Sequence, residues 1–418
     1  MDGMDMLLTT DYDTTGAFGA QAYGVRRLPD GTRLVLLKVT SGTLHPRDRV
    51  GSGKAGELRL IRGAKTENLP QAEAGCLCAA AGLPDVQIGD GLGIAPPLPA
   101  ACLRPLLAAK VLFQCPPAQA LEAFRTLEDE DPALAAAWDA ELEQLTVRIM
   151  GRVQLEVLAE TLRTRFQLEV SFAPPEVLYQ ETIAAPVDGW GHFEPLRHYA
   201  EVGLRLEPTP RGSGITFRSE CPTDRLALNW QRLIETHVFE RTHRGVLTGS
   251  PLTDVQVVLR CGRAHEKHTE GGDFREAVYR AIRHGMMHAQ SVLLEPYVRL
   301  SAAVEPSLAG RLLADLSRMS GEAEAPVPQQ GRSMIRAAVP LSEVMDYAQE
   351  FAAYTHGRGM LSMHPLGLRP CHNTDEVVAR RAYDPERDLA HTPDSVFCSH
   401  GAGYTVKWRE AASHMHGR

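Results

Sequence analysis

Residues 265–275 concentrate side chains that suit contacts with RNA. Imidazole rings can stack on unpaired bases, and cationic side chains can hold a phosphate backbone without reading its sequence. Gly271 and Gly272 permit a close turn. The free N–H groups of a helix predicted to begin near Phe274 favour a phosphate, with Asp273 as the N-cap. The simpler alternative is a solvated loop before a capped helix. The predicted contact residues in this loop are His265, Lys267, His268, Thr269 and Arg275.

Two further groups of basic and aromatic side chains are candidate contact sites. Phe193 can stack on a base, although burial is the commoner fate of a single phenylalanine. Arg241 and Arg244 flank His243 in a small basic cluster, for which a solvated helix end is the alternative. The predicted contact residues in these two groups are His192, Phe193, Arg197, His198, Arg241 and Arg244.

Patterns for catalysis and metal binding are weak in this sequence. Cys371, His372, Cys398 and His400 do not have the ligand spacing of a zinc finger, and residues 265–268 lack the H-E-x-x-H arrangement. No G-x-S-x-G segment lies between a predicted strand and a predicted helix. The sequence therefore predicts no catalytic residue and no metal site, with a zinc-binding module as the least favoured alternative.

The segment Gly51–Ala55 is the nearest approach to a phosphate-binding loop. It reads G-S-G-K-A, whereas a P-loop reads G-x-x-x-x-G-K-[ST] and uses its last hydroxyl to hold Mg²⁺. Ala55 has no hydroxyl, and a turn between strands is favoured instead. We therefore predict that this chain hydrolyses no GTP and binds no cofactor.

Length, composition and charge indicate a cytoplasmic multidomain monomer. The 418 residues suit about three domains, no apolar run approaches a membrane span, and the acidic N-terminus lacks a signal peptide. Eight dispersed cysteines suit a reducing compartment. The net charge of −8 argues against a general nucleic-acid coat. However, residues 187–285 carry 14 basic and 13 acidic side chains, against 7 and 13 in residues 101–186, so the middle segment is the favoured RNA contact.

The order of predicted elements indicates an α+β multidomain fold. Short strands between glycine and aspartate turns predict a β-barrel in residues 1–100. A strand–helix–strand–strand–helix–strand order in residues 101–175, and again in 294–370, is that of the split βαβ, ferredoxin-like motif. Residues 176–293 are predicted to form an α+β module between these two. Residues 371–418 are predicted to be a polar C-terminal extension with no clear period.

Five segments, in order over residues 151–359, resemble elongation factor G and its relatives. The ordered set is far more specific than any single segment. It implies domains II to V of that family, with domain IV at residues 176–293. The segments are G-R-V-Q-L-E-V-L at 151–158, P-P-x-V-x-Y-x-E-T at 174–182, G-V-L-T-G-S-P-L-T-D at 245–254, L-L-E-P at 293–296 and G-R-G at 357–359.

Two segments are similar to the ribosomal protection branch, whose members confer tetracycline resistance. They are G-H-F-E-P at 191–195 and H-E-K-H-T-E-G-G-D-F-R at 265–275. The resemblance implies that loops at the tip of domain IV reach ribosomal RNA at the decoding centre of the small subunit. The residues predicted to be structural in the resembling segments are Gly245, Gly249, Asp254, Gly271, Gly272, Gly357 and Gly359.

Members of this family begin with a P-loop GTPase domain, to which GTP and Mg²⁺ belong. We expect this chain to lack that domain, so that ribosome docking is its available activity, without membrane association. The alternative is a truncated elongation factor G paralogue that has no independent activity.

Overall fold

The structure is a computed structural model that describes residues 12–28, 30–63, 65–99, 105–139 and 143–417. The chain divides into two compact units, Met1–Glu176 and Val177–Arg418. Each unit combines helices with mostly antiparallel sheets, which confirms the α+β multidomain class. Over the described ranges, no helix is long and apolar enough to cross a membrane.

Short antiparallel strands fill the N-terminal part of the first unit. They are β1 (Gly19–Arg27), β2 (Arg33–Ser41), β3 (Thr43–Leu44), β4 (Arg49–Val50), β5 (Gly53–Lys54), β6 (Leu58–Arg62), β7 (Lys65–Leu69), β8 (Ala72–Glu73), β9 (Leu77–Ala81) and β10 (Gly91–Gly93). The main sheet runs in the order β10-β1-β2-β9-β6-β7. Leu37, Leu44 and Leu58 are buried in the core beneath it.

The barrel predicted for residues 1–100 is not closed in the part of the chain that the structure describes. The main sheet ends at β10 and β7, and the other strands form separate ribbons, β3–β8 and β4–β5. Each ribbon strand has two residues, too few to carry continuous pairing around to the other edge. Gly51, with φ of 58°, lies in the turn that joins β4 to β5. Ala55, directly after β5, is buried.

The first ferredoxin-like module follows in the same unit. Its elements are β11 (Leu107–Phe113), α1 (Pro117–Glu130), β12 (Ala137–Asp139), β13 (Gln144–Ile149), α2 (Arg152–Phe166) and β14 (Val170–Phe172). The sheet order β12-β13-β11-β14 is that of a split βαβ motif. On β13, Leu145, Val147 and Ile149 are buried and Arg148 is exposed. The period of two read from the sequence thus selects the buried face.

The second unit begins with an α+β module. Strand β15 (Glu176–Val177) lies at the boundary between the units, and the elements that follow it are β16 (Gln180–Ile183), β17 (Val187–Phe193), β18 (Ala200–Pro208), β19 (Ile215–Ser219), α3 (Leu228–Phe239), β20 (Val255–Ala264) and α4 (Gly271–His288). Helix α4 lies against β17 so closely that a Cβ on Gly189 or Gly191 would be 2.2 or 2.0 Å from a carbonyl oxygen of the helix. These two glycines are required by the contact between helix and sheet.

The second ferredoxin-like module repeats the topology of the first. Its elements are β21 (Ser291–Val304), α5 (Ala309–Arg318), β22 (Glu322–Ala323), β23 (Val327–Gln329), β24 (Arg332–Pro340), α6 (Leu341–Val344), α7 (Tyr347–Tyr354) and β25 (Met360–Pro370). Strand β21 lies between β24 and β25, and β24 pairs with both β22 and β23. Strand β16 pairs with the first residues of β21, from Ser291 to Leu294.

The C-terminal extension is folded, although its sequence showed no clear period. Its elements are α8 (Thr374–Arg381), β26 (Ser395–Ser399), β27 (Ala402–Val406) and α9 (Trp408–His414). Strand β26 pairs in parallel with β17, through Phe193 and Val396. The resulting sheet runs β19-β20-β18-β17-β26-β27, so the extension completes the sheet of the α+β module. Such short elements carry too few residues to display a hydrophobic period.

Candidate nucleic-acid interface

The loop between β20 and α4 is exposed and is held at its base by hydrogen bonds. The rings of His265 and His268 stack, with centroids 4.5 Å apart. The backbone N–H of His265 donates to the Thr269 hydroxyl, which donates to the carbonyl oxygen of Tyr199, both over 2.6 Å. Lys267 is exposed between the two histidines. Thr269 therefore fixes the loop, and His265, Lys267 and His268 present their side chains to solvent.

The start of α4 differs from the prediction. The helix begins at Gly271, three residues before Phe274, and Glu270 is the N-cap, so Asp273 is the third helical residue. The Asp273 carboxylate accepts the backbone N–H of Glu270 over 2.8 Å, within a reciprocal capping box. Two carboxylates thus occupy this helix terminus, which makes it a poor place for a phosphate. Gly272 has open space around it.

His192 is a core residue, which corrects its prediction as an exposed RNA contact. Its side chain is fully buried, with Nδ1 2.9 Å from Glu201 and Nε2 3.1 Å from Glu194. Its ring also stacks on Phe397 of β26, with centroids 4.1 Å apart. The local sequence could not show this, because the covering residue lies about two hundred positions further along the chain.

The neighbours of His192 have mixed environments. Phe193 is half-buried, and the guanidinium of Arg280 lies 5.1 Å from the centre of its ring. Arg197 is exposed with φ of 66°, in the turn between β17 and β18. His198 Nδ1 lies 2.8 Å from the carboxylate of Asp273. The structure therefore brings His198 to the base of the 265–275 loop and leaves Arg197 free to meet a ligand.

Acidic side chains partly neutralise the basic residues that follow α3, and also Arg275 on α4. Arg275 Nε lies 2.6 Å from Glu240, and Arg244 lies 3.7 Å from Asp388. Arg241 lies over the ring of Tyr279, at 4.3 Å from its centre. Burial alone would raise the pKa of Glu240, but hydrogen bonds from Tyr279, Arg275 and His237 outweigh it and lower that pKa to about 2. Glu240 is therefore ionised at neutral pH, and Arg275 is a weaker phosphate ligand than its exposure suggests.

The Gly245–Asp254 segment closes around a buried carboxylate that the sequence did not single out. Glu181 is fully buried and accepts backbone N–H groups from Leu247 and Thr248, over 2.9 and 2.8 Å, and the Thr248 hydroxyl. A Cβ on Gly245 would lie 2.1 Å from the same carboxylate. Glu181 belongs to the P-P-x-V-x-Y-x-E-T segment, but the sequence did not indicate which residues it contacts.

The other residues predicted to be structural lie where the backbone needs them. Asp254 and Gly249 have φ of 55° and 72°, and the Asp254 carboxylate accepts N–H groups from the 212–214 turn. Gly357 has φ of 73° after α7. A Cβ on Gly359 would lie 2.6 Å from the ring of Phe351. These positions support the fold and carry no ligand chemistry.

The four cysteines and histidines considered for zinc do not assemble as one set. Cys371 and His372 lie next to Glu295, within 4.8 Å between ligand atoms. Cys398 belongs to β26 and His400 to the turn after it, with φ of 51°. The Cys₂His₂ alternative is therefore not the arrangement that the fold produces.

Comparisons with known proteins match most of residues 175–377. The family description "Elongation factor G, domain IV" matches residues 175–290, and "Elongation factor G C-terminus" matches residues 292–377. The chain is 30% identical over 384 residues to "Elongation factor G 2" of Streptomyces coelicolor, which covers 85% of this chain and 55% of that protein. It is 28% identical over 360 residues to "Elongation factor G 2" of Syntrophus aciditrophicus, covering 80% and 52%.

The chain is also similar to a solved structure. A crystal structure from Thermus thermophilus has a TM-score of 0.54 and 26% identity, and the match covers 88% of this chain and 58% of that one. The chain spans about half the length of the relatives that it matches. Residues 175–290 therefore match elongation factor G domain IV, residues 292–377 match the elongation factor G C-terminus, and the chain is similar to elongation factor G over these segments.

Proposed function

We propose that this chain is a cytoplasmic, monomeric, ribosome-binding protein that docks the tip of its domain IV at the decoding centre of the small subunit. The observation that carries this proposal is the succession of elongation factor G domain IV and C-terminal domain in one chain. Relatives named elongation factor G 2 match most of its length.

The exposed loop before α4 is the proposed contact with ribosomal RNA. His265, Lys267 and His268 are exposed around a loop that Thr269 holds in place. Arg197 is also exposed, and the next residue, His198, contacts the first turn of α4. Stacking imidazoles and an unshielded ammonium suit an RNA strand with unpaired bases. The side chain of His192 is excluded from this contact by its burial.

The finer proposal is that docking remodels or clears the tetracycline site, as the likeness of residues 191–195 and 265–275 to the ribosomal protection branch implies. We expect no GTP hydrolysis by this chain, because Gly51–Ala55, its nearest approach to a P-loop, lacks the final hydroxyl of that motif. The rival proposal is a truncated elongation factor G paralogue without activity. Release of bound tetracycline from ribosomes, with and without added GTP, separates the two.

Co-sedimentation with purified small subunits tests the docking proposal. We expect the chain to travel with the subunits at low salt and to dissociate at high salt, because phosphate contacts release counterions. The variant Lys267→Ala with His268→Ala should weaken binding, whereas Arg163→Ala, an exposed position on α2 in the first unit, is the matched control. Absence of the chain from the subunit fraction at both salt concentrations would refute docking.

A further inference from the structure

We propose that Glu295, Cys371 and His372 form a binding site for one zinc ion. This site lies in the second unit, where β21 meets the segment that follows β25. It is independent of the proposed ribosome docking. It differs from the zinc-finger set considered from sequence, because Glu295 replaces Cys398 and His400.

The fold brings the three donor groups to one place. Their ligand atoms all lie within 4.8 Å of one another. Glu295 comes from β21, and the segment after β25 supplies the other two residues. That segment is held by the Cys371 N–H, which donates to the carbonyl of Leu293 over 2.9 Å, and by the Thr374 hydroxyl, which donates to the carbonyl of Cys371. The backbone therefore presents the donors together without a ligand.

The donor set matches the chemistry of zinc. A thiolate, an imidazole and a carboxylate are its usual protein ligands, whereas Mg²⁺ and Ca²⁺ prefer oxygen alone. His372 Nδ1 already lies 2.7 Å from Glu295 Oε1, and the His372 backbone N–H donates to the same oxygen over 2.8 Å. A mixed sulfur, nitrogen and oxygen set at this separation selects a borderline-soft divalent cation.

The carboxylate of the cluster is buried beside an imidazole. Glu295 is fully buried, and a buried carboxylate must be paired or bound to a metal. The imidazole of His372 lies between two carboxylates, with its Nε2 3.5 Å from Glu343. A water molecule can complete the fourth position of a tetrahedral site.

Binding follows a simple exchange of protons for metal. The Cys371 thiol donates to the side-chain oxygen of Asn373 over 3.4 Å, so its sulfur carries a proton that must leave when a metal binds. Zinc binding forms bonds to sulfur, nitrogen and oxygen. The Sγ proton of Cys371 and the proton between His372 Nδ1 and Glu295 leave for solvent. The step includes no oxidation or reduction.

A second cluster of possible ligands, His192, Glu201 and His416, is less suited to a metal. The Glu201 carboxylate already accepts the backbone N–H groups of His416 and Gly417, over 2.8 and 2.6 Å. It also lies 2.9 Å from His192 Nδ1. Unlike the Cys371 cluster it offers no thiolate, and it therefore serves as the internal comparison.

Cobalt substitution and elemental analysis test the zinc site. The full chain is purified, stripped with EDTA and titrated with Co²⁺, which gives a thiolate-to-cobalt absorption band when a cysteine is a ligand. We expect one equivalent of Co²⁺ or Zn²⁺ to bind, with the band lost in Cys371→Ser and binding weakened in His372→Gln. Cys398→Ser, a half-buried cysteine outside the cluster, is the matched control and should keep the band.

Circular dichroism of the stripped variants checks that they remain folded. A wild-type chain that binds neither ion would overturn the zinc site, and so would a metal that persists in Cys371→Ser but disappears in His416→Ala. Ribosome co-sedimentation is not used in this test. Failure of the zinc site therefore leaves the docking proposal intact, and failure of docking leaves the zinc site intact.

Discussion

At the scale of single residues, the main organising group is a buried carboxylate that local sequence reading passed over. Glu181 lies at the centre of the Gly245–Asp254 segment and accepts its backbone N–H groups. Sequence alone identified the glycines and Asp254 of this segment. It could not identify their common partner, because that partner lies more than sixty residues earlier in the chain.

The substitution Gly245→Ala should destabilise the second unit. Its Cβ would lie 2.1 Å from the Glu181 carboxylate, and overpacking of this kind costs about 1–3 kcal/mol. Urea denaturation of the two proteins measures the difference in the free energy of unfolding. Gly272→Ala is the matched control, because nothing lies within 4 Å of the added Cβ. Equal stability of the two variants would contradict the role assigned to Glu181.

Asp129 provides a test by pH. It lies on α1 and receives hydrogen bonds from Arg33 of β2, over 2.9 and 3.1 Å, in the same unit. These bonds lower the pKa of Asp129 below its ordinary value of 3.8, against the opposing effect of burial. A carboxylate with a lowered pKa in the folded state stabilises the fold fully above pH 3.8 and loses that contribution as the pH falls through its folded-state pKa.

We therefore expect Asp129→Asn to have a lower melting temperature than the wild type at pH 7. Loss of a hydrogen-bonded charge costs about 1.5–3 kcal/mol. The difference between the two proteins should shrink as the pH falls below 3.8. A difference in melting temperature that stayed constant between pH 7 and pH 3 would show that the ionised carboxylate contributes nothing to stability.

At the scale of elements, the C-terminal extension is part of the sheet that positions the candidate RNA loop. Strand β26 lies beside β17, and Phe397 covers the ring of His192. The longer helices and the alternating strands between residues 105 and 370 could be predicted from their periods, whereas strands of two or three residues, such as β22 and β23, could not. The strands of the extension have five residues each, and their partner β17 is distant in sequence, so their structure could not be predicted.

Phe397→Ala tests this contact. Phe397 is buried, and truncation of a buried phenylalanine costs about 3–5 kcal/mol. We expect faster backbone hydrogen exchange in β17 as well as in β26, since the two strands lose their shared packing. Tyr404→Ala on β27 is the control, because its side chain is 45% exposed. Unchanged hydrogen exchange in β17 would contradict the claim that the extension stabilises this strand.

At the scale of the whole molecule, the α+β class and both ferredoxin-like modules follow from the order of elements in the sequence. The sequence did not show whether the N-terminal strands close into a barrel. Closure depends on the lengths of β3, β4, β5 and β8, which propensity does not determine. Among the predicted contact residues, His265, Lys267, His268 and Arg197 are exposed, whereas His192 is buried. Exposure depends on tertiary neighbours, which the local sequence does not contain.

Directed hydroxyl-radical cleavage from position 267 tests the central claim most directly. Lys267→Cys carries a tethered iron chelate, and Arg163→Cys and the labelled unsubstituted chain are the controls. Docking of the domain IV tip predicts cleavage of small-subunit ribosomal RNA near the decoding centre from position 267, absent from both controls. Cleavage from position 267 confined to other regions of the ribosome, or no cleavage beyond the labelled unsubstituted chain, would contradict it.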